Sequence, residues 1–190
     1  MQIQISQIIE RHTGAFEKTF SQNGNALLEA MARELLRALK AGKKILLCGN
    51  GGSAADAQHI AAEFVGRYKK ERRSLPAIAL TTDTSVLTSV ANDYDYVDVF
   101  SRQIEGLGAE GDVLIAISTS GNSKNVLKAV QCAKDKGMTV LGFTGLSGGL
   151  LKDQVDLCFQ SMTAETSHVQ EMHITALHAV SEVIENTLFG

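Results

Sequence analysis

The chain has no long apolar run. Its longest, Ile45-Leu46-Leu47-Cys48 and Val113-Leu114-Ile115-Ala116-Ile117, fall far short of the roughly 20 residues that a bilayer span requires, so no membrane association is expected. The start, Met1-Gln2-Ile3-Gln4-Ile5, lacks a basic region, an apolar stretch and a small-residue cleavage site, which argues against secretion and for the cytoplasm. Cysteine is scarce: Cys48, Cys132 and Cys158 show no paired spacing and read as buried thiols, not as a redox device. Charge of one sign is also lacking. A formal net charge of -3 gives no broad footprint for nucleic acid, and none is expected as a partner. The local basic run Lys69-Lys70-Glu71-Arg72-Arg73 reads as a solvated loop before a strand. Linkers, repeats and low-complexity tracts are absent too.

What is present is ordinary globular material, 44% hydrophobic and 21% charged. A chain of 190 residues fits one domain, able to bury about 70% of the surface it exposes when unfolded. Two helices are expected first, at about 3–21 and 24–41, the second with Leu27, Leu28, Met31, Leu35, Leu36 and Leu39 at helical spacing and Gly42 as its stop. The pattern then alternates: strand 44–48, helix 53–66, strand 77–81, helices near 84–91 and 96–107, strand 112–118, helix 123–136, strands 138–144 and 155–159, helix 167–188. Short apolar strands separated by helices predict an α/β fold, a doubly wound parallel sheet covered on both faces. A helical segment, 1–41, would precede an α/β core at 42–190. Ligands bind such sheets beyond the carboxyl ends of the strands.

Four loops follow strands, and Ser118-Thr119-Ser120-Gly121-Asn122-Ser123 is the most informative. It opens a helix, whose free amides and positive dipole end favour an anion. Its hydroxyls add donors without charge, and Gly121 lets the backbone approach closely. A single capping serine would need far less, so a phosphate is expected here. The earlier loop, Gly49 to Ala54, matches G-x-G-x-x-A. A dinucleotide site would want an acidic residue at the end of the next strand, where Leu80-Thr81-Thr82 stand and Asp83 arrives late. Ser53 with Asp56 reads instead as a capping-box variant over a second helix start, with Asn50, Gly51 and Gly52 as a tight, sugar-binding turn.

On the next helix His59 and Glu63 lie four apart and share a face, a spacing that suits a metal but also occurs as a plain surface contact. In the last helix Gln170, Glu171, His173 and His178 sit among apolar residues. Helical angle brings Glu171 nearer the His178 face than Gln170, and geometry alone does not choose between them. His168 and His173 read as structural.

Together, Cys48 to Ser53, the stretch His59 to Tyr68, Ala91-Asn92-Asp93, Ile117 to Ser123, and Gln170-Glu171-Met172-His173 with His178 resemble the bacterial phosphoheptose isomerases, sugar isomerase (SIS) domain enzymes. The likeness runs from about residue 40 to the end, and the N-terminal helices fit as an oligomerisation segment. The resemblance implies conversion of sedoheptulose 7-phosphate into D-glycero-D-manno-heptose 7-phosphate, towards lipopolysaccharide heptose, by a homotetramer. It implies that Asn50, Gly51, Gly52, Ser53, Asn92, Asp93, Ser118, Thr119, Ser120 and Ser123 bind the sugar phosphate, with Glu63 and Gln170 also reaching it. It further implies that Glu63 and His178 carry the acid–base chemistry, and that one zinc ion is held by His59, Glu63, Gln170 and His178. The resemblance thus takes Gln170 over Glu171.

The residue types suit that chemistry. Ketose-to-aldose conversion moves a proton from C1 to C2 through an enediol, a task for one carboxylate beside both carbons, and an imidazole can move the oxygen protons. Zinc would polarise the carbonyl, yet a zinc-bound carboxylate is a weaker base, so the two roles of Glu63 pull against each other. Two other readings stand beside this one. A related SIS-domain protein binds the replication initiator and departs from the isomerases at the positions of Glu63, Ser120 and His178, all kept here. An isomerase of another phosphosugar would share the phosphate loop.

Overall fold

A computed structural model describes residues 2–21 and 24–190. Two helices lead, α1 (Gln2–Ser21) and α2 (Gly24–Lys40). Gly42 stops α2 as expected: its φ of 73° lets Lys43 N donate to Ala38 O at 2.9 Å and Gly42 N to Leu39 O at 3.2 Å, the paired bonds of a Schellman turn.

The core alternates strands β1 (Ile45–Cys48), β2 (Ala77–Ala79), β3 (Val113–Ile117), β4 (Thr139–Thr144) and β5 (Leu157–Gln160) with helices α3 (Gly52–Val65), α4 (Thr84–Asp93), α5 (Ser101–Leu107), α6 (Lys124–Asp135) and α7 (Thr166–Phe189). The strands form one sheet in the order β2-β1-β3-β4-β5, every pairing parallel. Because side chains alternate along a strand, the central strands β1, β3 and β4 each feed two cores. Ile45, Leu47, Val113, Ile115 and Ile117 join Ile60 and Phe64 of α3, Leu35 of α2 and Met172 and Ala176 of α7 on one face. Leu46, Leu114 and Ala116 join Ile104 of α5 and Val126 and Ala129 of α6 on the other. The doubly wound reading therefore holds.

The order places a topological switch between β1 and β3: the chain runs outward from β1 to β2, then returns to the far side of β1. At such a switch the loops diverge and leave a crevice. Here they are the loop after β1 and the hydroxyl-rich loop after β3.

Four expectations are corrected. The helix expected at 96–107 is a short 3-10 turn, Tyr96–Asp98, followed by α5; Asp95 Oδ1 accepts from Val97 N at 2.8 Å and starts the turn. Of the three free cysteines only Cys48 is buried, the other two being half-exposed; burial pushes the Cys48 thiol up to about 12. Ser53 does not cap α3, whose N-cap is Gly51 with no side-chain bond; Ser53 is buried in the first turn instead. Finally, the basic run is not simply solvated. The Arg72 side chain is 2% exposed and pairs with an equally buried Glu185 at 2.8 Å. Among the described residues no helix is long and apolar enough to cross a membrane.

Candidate active site

The loop after β3 is built as an open cup. Ser118 N donates to Phe143 O at 3.0 Å, anchoring the loop to β4 as the strands part. Gly121 N donates to Ser118 O at 2.9 Å in a turn that needs Gly121 at φ 68°. A Cβ there would collide with the Gly148 carbonyl of the loop after β4. Asn122 ties the two loops together, donating from Nδ2 to Ser120 O at 3.0 Å and accepting at Oδ1 from Leu150 N at 3.0 Å.

The hydroxyls do not serve the helix. Ser123 is the N-cap of α6 and makes no side-chain cap bond; its Oγ lies 2.9 Å from Ser118 Oγ. The start of α6 therefore keeps its attraction for an anion. Thr119, Ser120 and Asn122 line a cleft of about 520 Å³ whose far wall is Ser147 and, at the start of α7, Thr166.

Across the switch point, Gly51 adopts φ 57° to turn β1 into α3. Asn50 and Asn125 exchange both amide hydrogen bonds, at 2.9 and 2.8 Å, and Tyr96 Oη adds one to Asn50 Oδ1 at 3.2 Å. A carboxamide pair thus bridges the two loops. Asn92 and Asp93, at the end of α4, bond each other at 2.7 Å and stand exposed; the structure does not draw them into this pair.

Beyond the turn α3 and α7 meet. His59 Nε2 lies 3.1 Å from Glu63 Oε1 and 3.0 Å from His178 Nε2. The ligand atoms of His59, Glu63 and His178 all fall within 4.8 Å of one another. Two imidazole nitrogens and a carboxylate oxygen make a donor set that suits zinc, and the facing Nε2 atoms are an arrangement two ligands of one ion adopt. The residues present therefore fit a metal. His178 is held below the usual histidine range, first by burial and then by His59, against the opposing pull of Glu63.

Gln170 and Glu171 have different partners, and neither is in the His59, Glu63 and His178 group. Glu171 Oε2 turns away to His12 Nε2 of α1, 2.8 Å distant. The Gln170 carboxamide packs on Gly52, so closely that a Cβ there would overlap it. Gln170 thus borders the turn between β1 and α3, and Glu171 belongs to the contact with α1. His168 and His173 are buried and structural, His173 Nε2 donating to Thr144 O at 3.0 Å.

Several residues of the site escaped sequence reasoning: Asn125, Tyr96, Tyr68, Arg72 and Glu185. Glu185 left one trace, an acid on the apolar stripe of the last helix, seven residues beyond His178.

Comparison with known proteins agrees with this geometry. Residues 10–145 match the model of the SIS domain family. The phosphoheptose isomerase of a Roseiflexus species is 56% identical over 86% of this chain and 83% of its own. That of Campylobacter concisus is 50% identical over 98% of this chain and 100% of its own. Among solved structures, phosphoheptose isomerase GmhA from Neisseria gonorrhoeae superposes with a TM-score of 0.91 at 40% identity, covering 97% of this chain and 98% of the other. Five parallel strands, a hydroxyl cup at their switch point and a His–Glu–His cluster are thus carried by a chain that belongs to the SIS-domain family and, within it, to the phosphoheptose isomerases.

Proposed function

We propose that this chain is an aldose–ketose isomerase that converts sedoheptulose 7-phosphate into D-glycero-D-manno-heptose 7-phosphate, supplying heptose for lipopolysaccharide. The observation that carries the reading is the meeting of Glu63 and His178, from different helices, within 4.8 Å, in a chain that also carries a hydroxyl cup at the switch point of its sheet.

Each part has a task. Ser118, Thr119, Ser120 and Ser123 hold the phosphate with the start of α6, while Asn50, Gly51, Gly52, Ser53, Asn92 and Asp93 contact the sugar phosphate. The Glu63 carboxylate takes a proton from C1 of the open ketose, and the electrons of that C–H bond form the C1–C2 double bond of the enediol. Returning the proton to C2 completes the aldose. His178 gives a proton to the C2 oxygen as the C1 oxygen loses one, so that charge does not accumulate.

His59, Glu63, Gln170 and His178 would hold one zinc ion, which when bound polarises the substrate carbonyl. The stripe Ile5, Ile8 and Ile9, exposed on α1, supports burial of the N-terminal helices in a homotetramer.

Incubation of the purified protein with sedoheptulose 7-phosphate should yield the aldose, with a hexulose 6-phosphate turned over far more slowly. No aldose from the seven-carbon substrate, with or without added zinc, would overturn the reading. Faster turnover of the hexulose phosphate would reassign the substrate while keeping the chemistry.

A further inference from the structure

Glu185 lies on α7 about two turns beyond His178 and is 2% exposed. A buried carboxylate needs several donors to remain charged, and it has four. Its Oε1 accepts from Tyr68 N at 3.0 Å and Arg72 Nε at 2.8 Å. Its Oε2 accepts from Lys69 N at 2.7 Å and Lys70 N at 2.9 Å. Burial alone would raise the Glu185 carboxyl, but these amides and the Arg72 guanidinium bring it down to about 2.

The guanidinium works in two directions. While Nε holds Glu185, Nη2 donates to Glu63 O at 2.6 Å and Nη1 to Phe64 O at 2.9 Å. These are carbonyls of the last turn of α3, which a helix leaves without internal partners. One buried ion pair therefore joins the end of α3, which carries Glu63, to the α7 face that carries His178.

The loop fixed in this way presents Tyr68. Its ring lies 5.7 Å from that of His178 at an interplanar angle of 27°, a stacked contact. The ring of His59 meets His178 at 4.9 Å and 64°, so His178 has two ring neighbours, of which only Tyr68 lies near parallel to it. Behind Tyr68, Lys69 Nζ sits 5.4 Å from the ring centroid and pairs with Glu182 of α7 at 2.7 Å.

We propose that Tyr68, locked in place by the Glu185–Arg72 pair, is a positioning residue that sets the plane of the His178 imidazole and so keeps its Nε2 aimed at Glu63 and His59. The torsion that turns an imidazole about its Cβ–Cγ bond is broad and soft; a flat ring against one face removes that freedom. The proposal rests on Glu63 and His178 being the acid–base pair.

The test compares Tyr68→Phe and Tyr68→Leu with wild type, in the full chain, by kcat and KM for sedoheptulose 7-phosphate and by Tm. Tyr68→Phe keeps the flat face and should keep kcat. Tyr68→Leu loses it, and kcat should fall on the order of ten- to a hundredfold with KM and Tm little changed, because the phosphate cup and the buried ion pair are intact. As an independent measure in the chelated protein, the His178 ring resonances should move with Tyr68→Leu and stay with Tyr68→Phe, following the aromatic ring current. A wild-type kcat in Tyr68→Leu, or unmoved His178 resonances, would overturn the proposal. Full activity in Glu63→Gln and His178→Gln would instead overturn the reading beneath it, so the two failures are distinguishable.

Discussion

Gly52 shows how much one missing Cβ can decide. Its α-carbon faces the carboxamide of Gln170, and any side chain at position 52 must displace that carboxamide. The obstructing atoms end a flexible side chain, so the fold can yield at little cost while the site cannot. Gly52→Ala should therefore lower kcat/KM by roughly a hundredfold, the scale of a misplacement near 1 Å, and leave Tm close to wild type. A large fall in Tm with unchanged turnover per folded molecule would show the glycine to be structural. Single residues were read from the sequence unevenly. The hydroxyls of the cup were legible, because serine and threonine after a strand have a direct chemical meaning. Gln170 against Glu171 was not, because the partner that removes Glu171 is His12, on a helix at the other end of the chain. Arg72 looked like surface charge for the same reason: its counter-ion, Glu185, is distant in sequence, and nothing local marks either as buried.

At the scale of elements, α7 serves two layers at once. It brings Gln170 to Gly52 near its start and His178 to His59 at its middle; between them, His173 points into the core beside Phe143 and Phe159, ring centroids 5.8 and 6.3 Å away. Its Nε2–H bonds Thr144 O, but Nδ1 has no partner, so a proton there would be buried without one. Burial holds the imidazole down at about 4, against an ordinary 6.5. The sign follows from linkage: the unfolded chain binds the proton first, so the stabilisation is complete above about pH 6.5 and is lost as pH falls towards 4. Replacing His173 by Gln should flatten the fall in Tm between these pH values relative to wild type; parallel curves would mean that His173 does not titrate as described. The elements themselves were largely legible. Gly42 and Gly137 both end helices at positive φ, as a glycine after an apolar periodic run should. The break between the 3-10 turn at Tyr96–Asp98 and α5 was missed, since an Asp-capped 3-10 turn interrupts a helical pattern without changing its spacing.

Across the whole molecule, the strand order explains why the loops after β1 and β3 part. The return of β3 to the far side of β1 opens a crevice, and the Asn50–Asn125 amide pair spans it. On one side the cup leads into α6; on the other, α3 and α7 converge on His59, Glu63 and His178. Alternation of apolar strands and helices announced a parallel sheet, but strand order depends on which side each crossover takes, and residue spacing carries no record of it. Of the roles assigned, that of Glu63 is central. Turnover of sedoheptulose 7-phosphate by wild type and by Glu63→Gln, with KM measured for both and zinc content matched, tests it most directly. The expected result is a kcat lower by about 10²–10⁴, the usual contribution of a general base, with KM within a few-fold of wild type because the phosphate cup is untouched. A Glu63→Gln protein that turns over substrate at the wild-type rate would contradict the role given to this carboxylate.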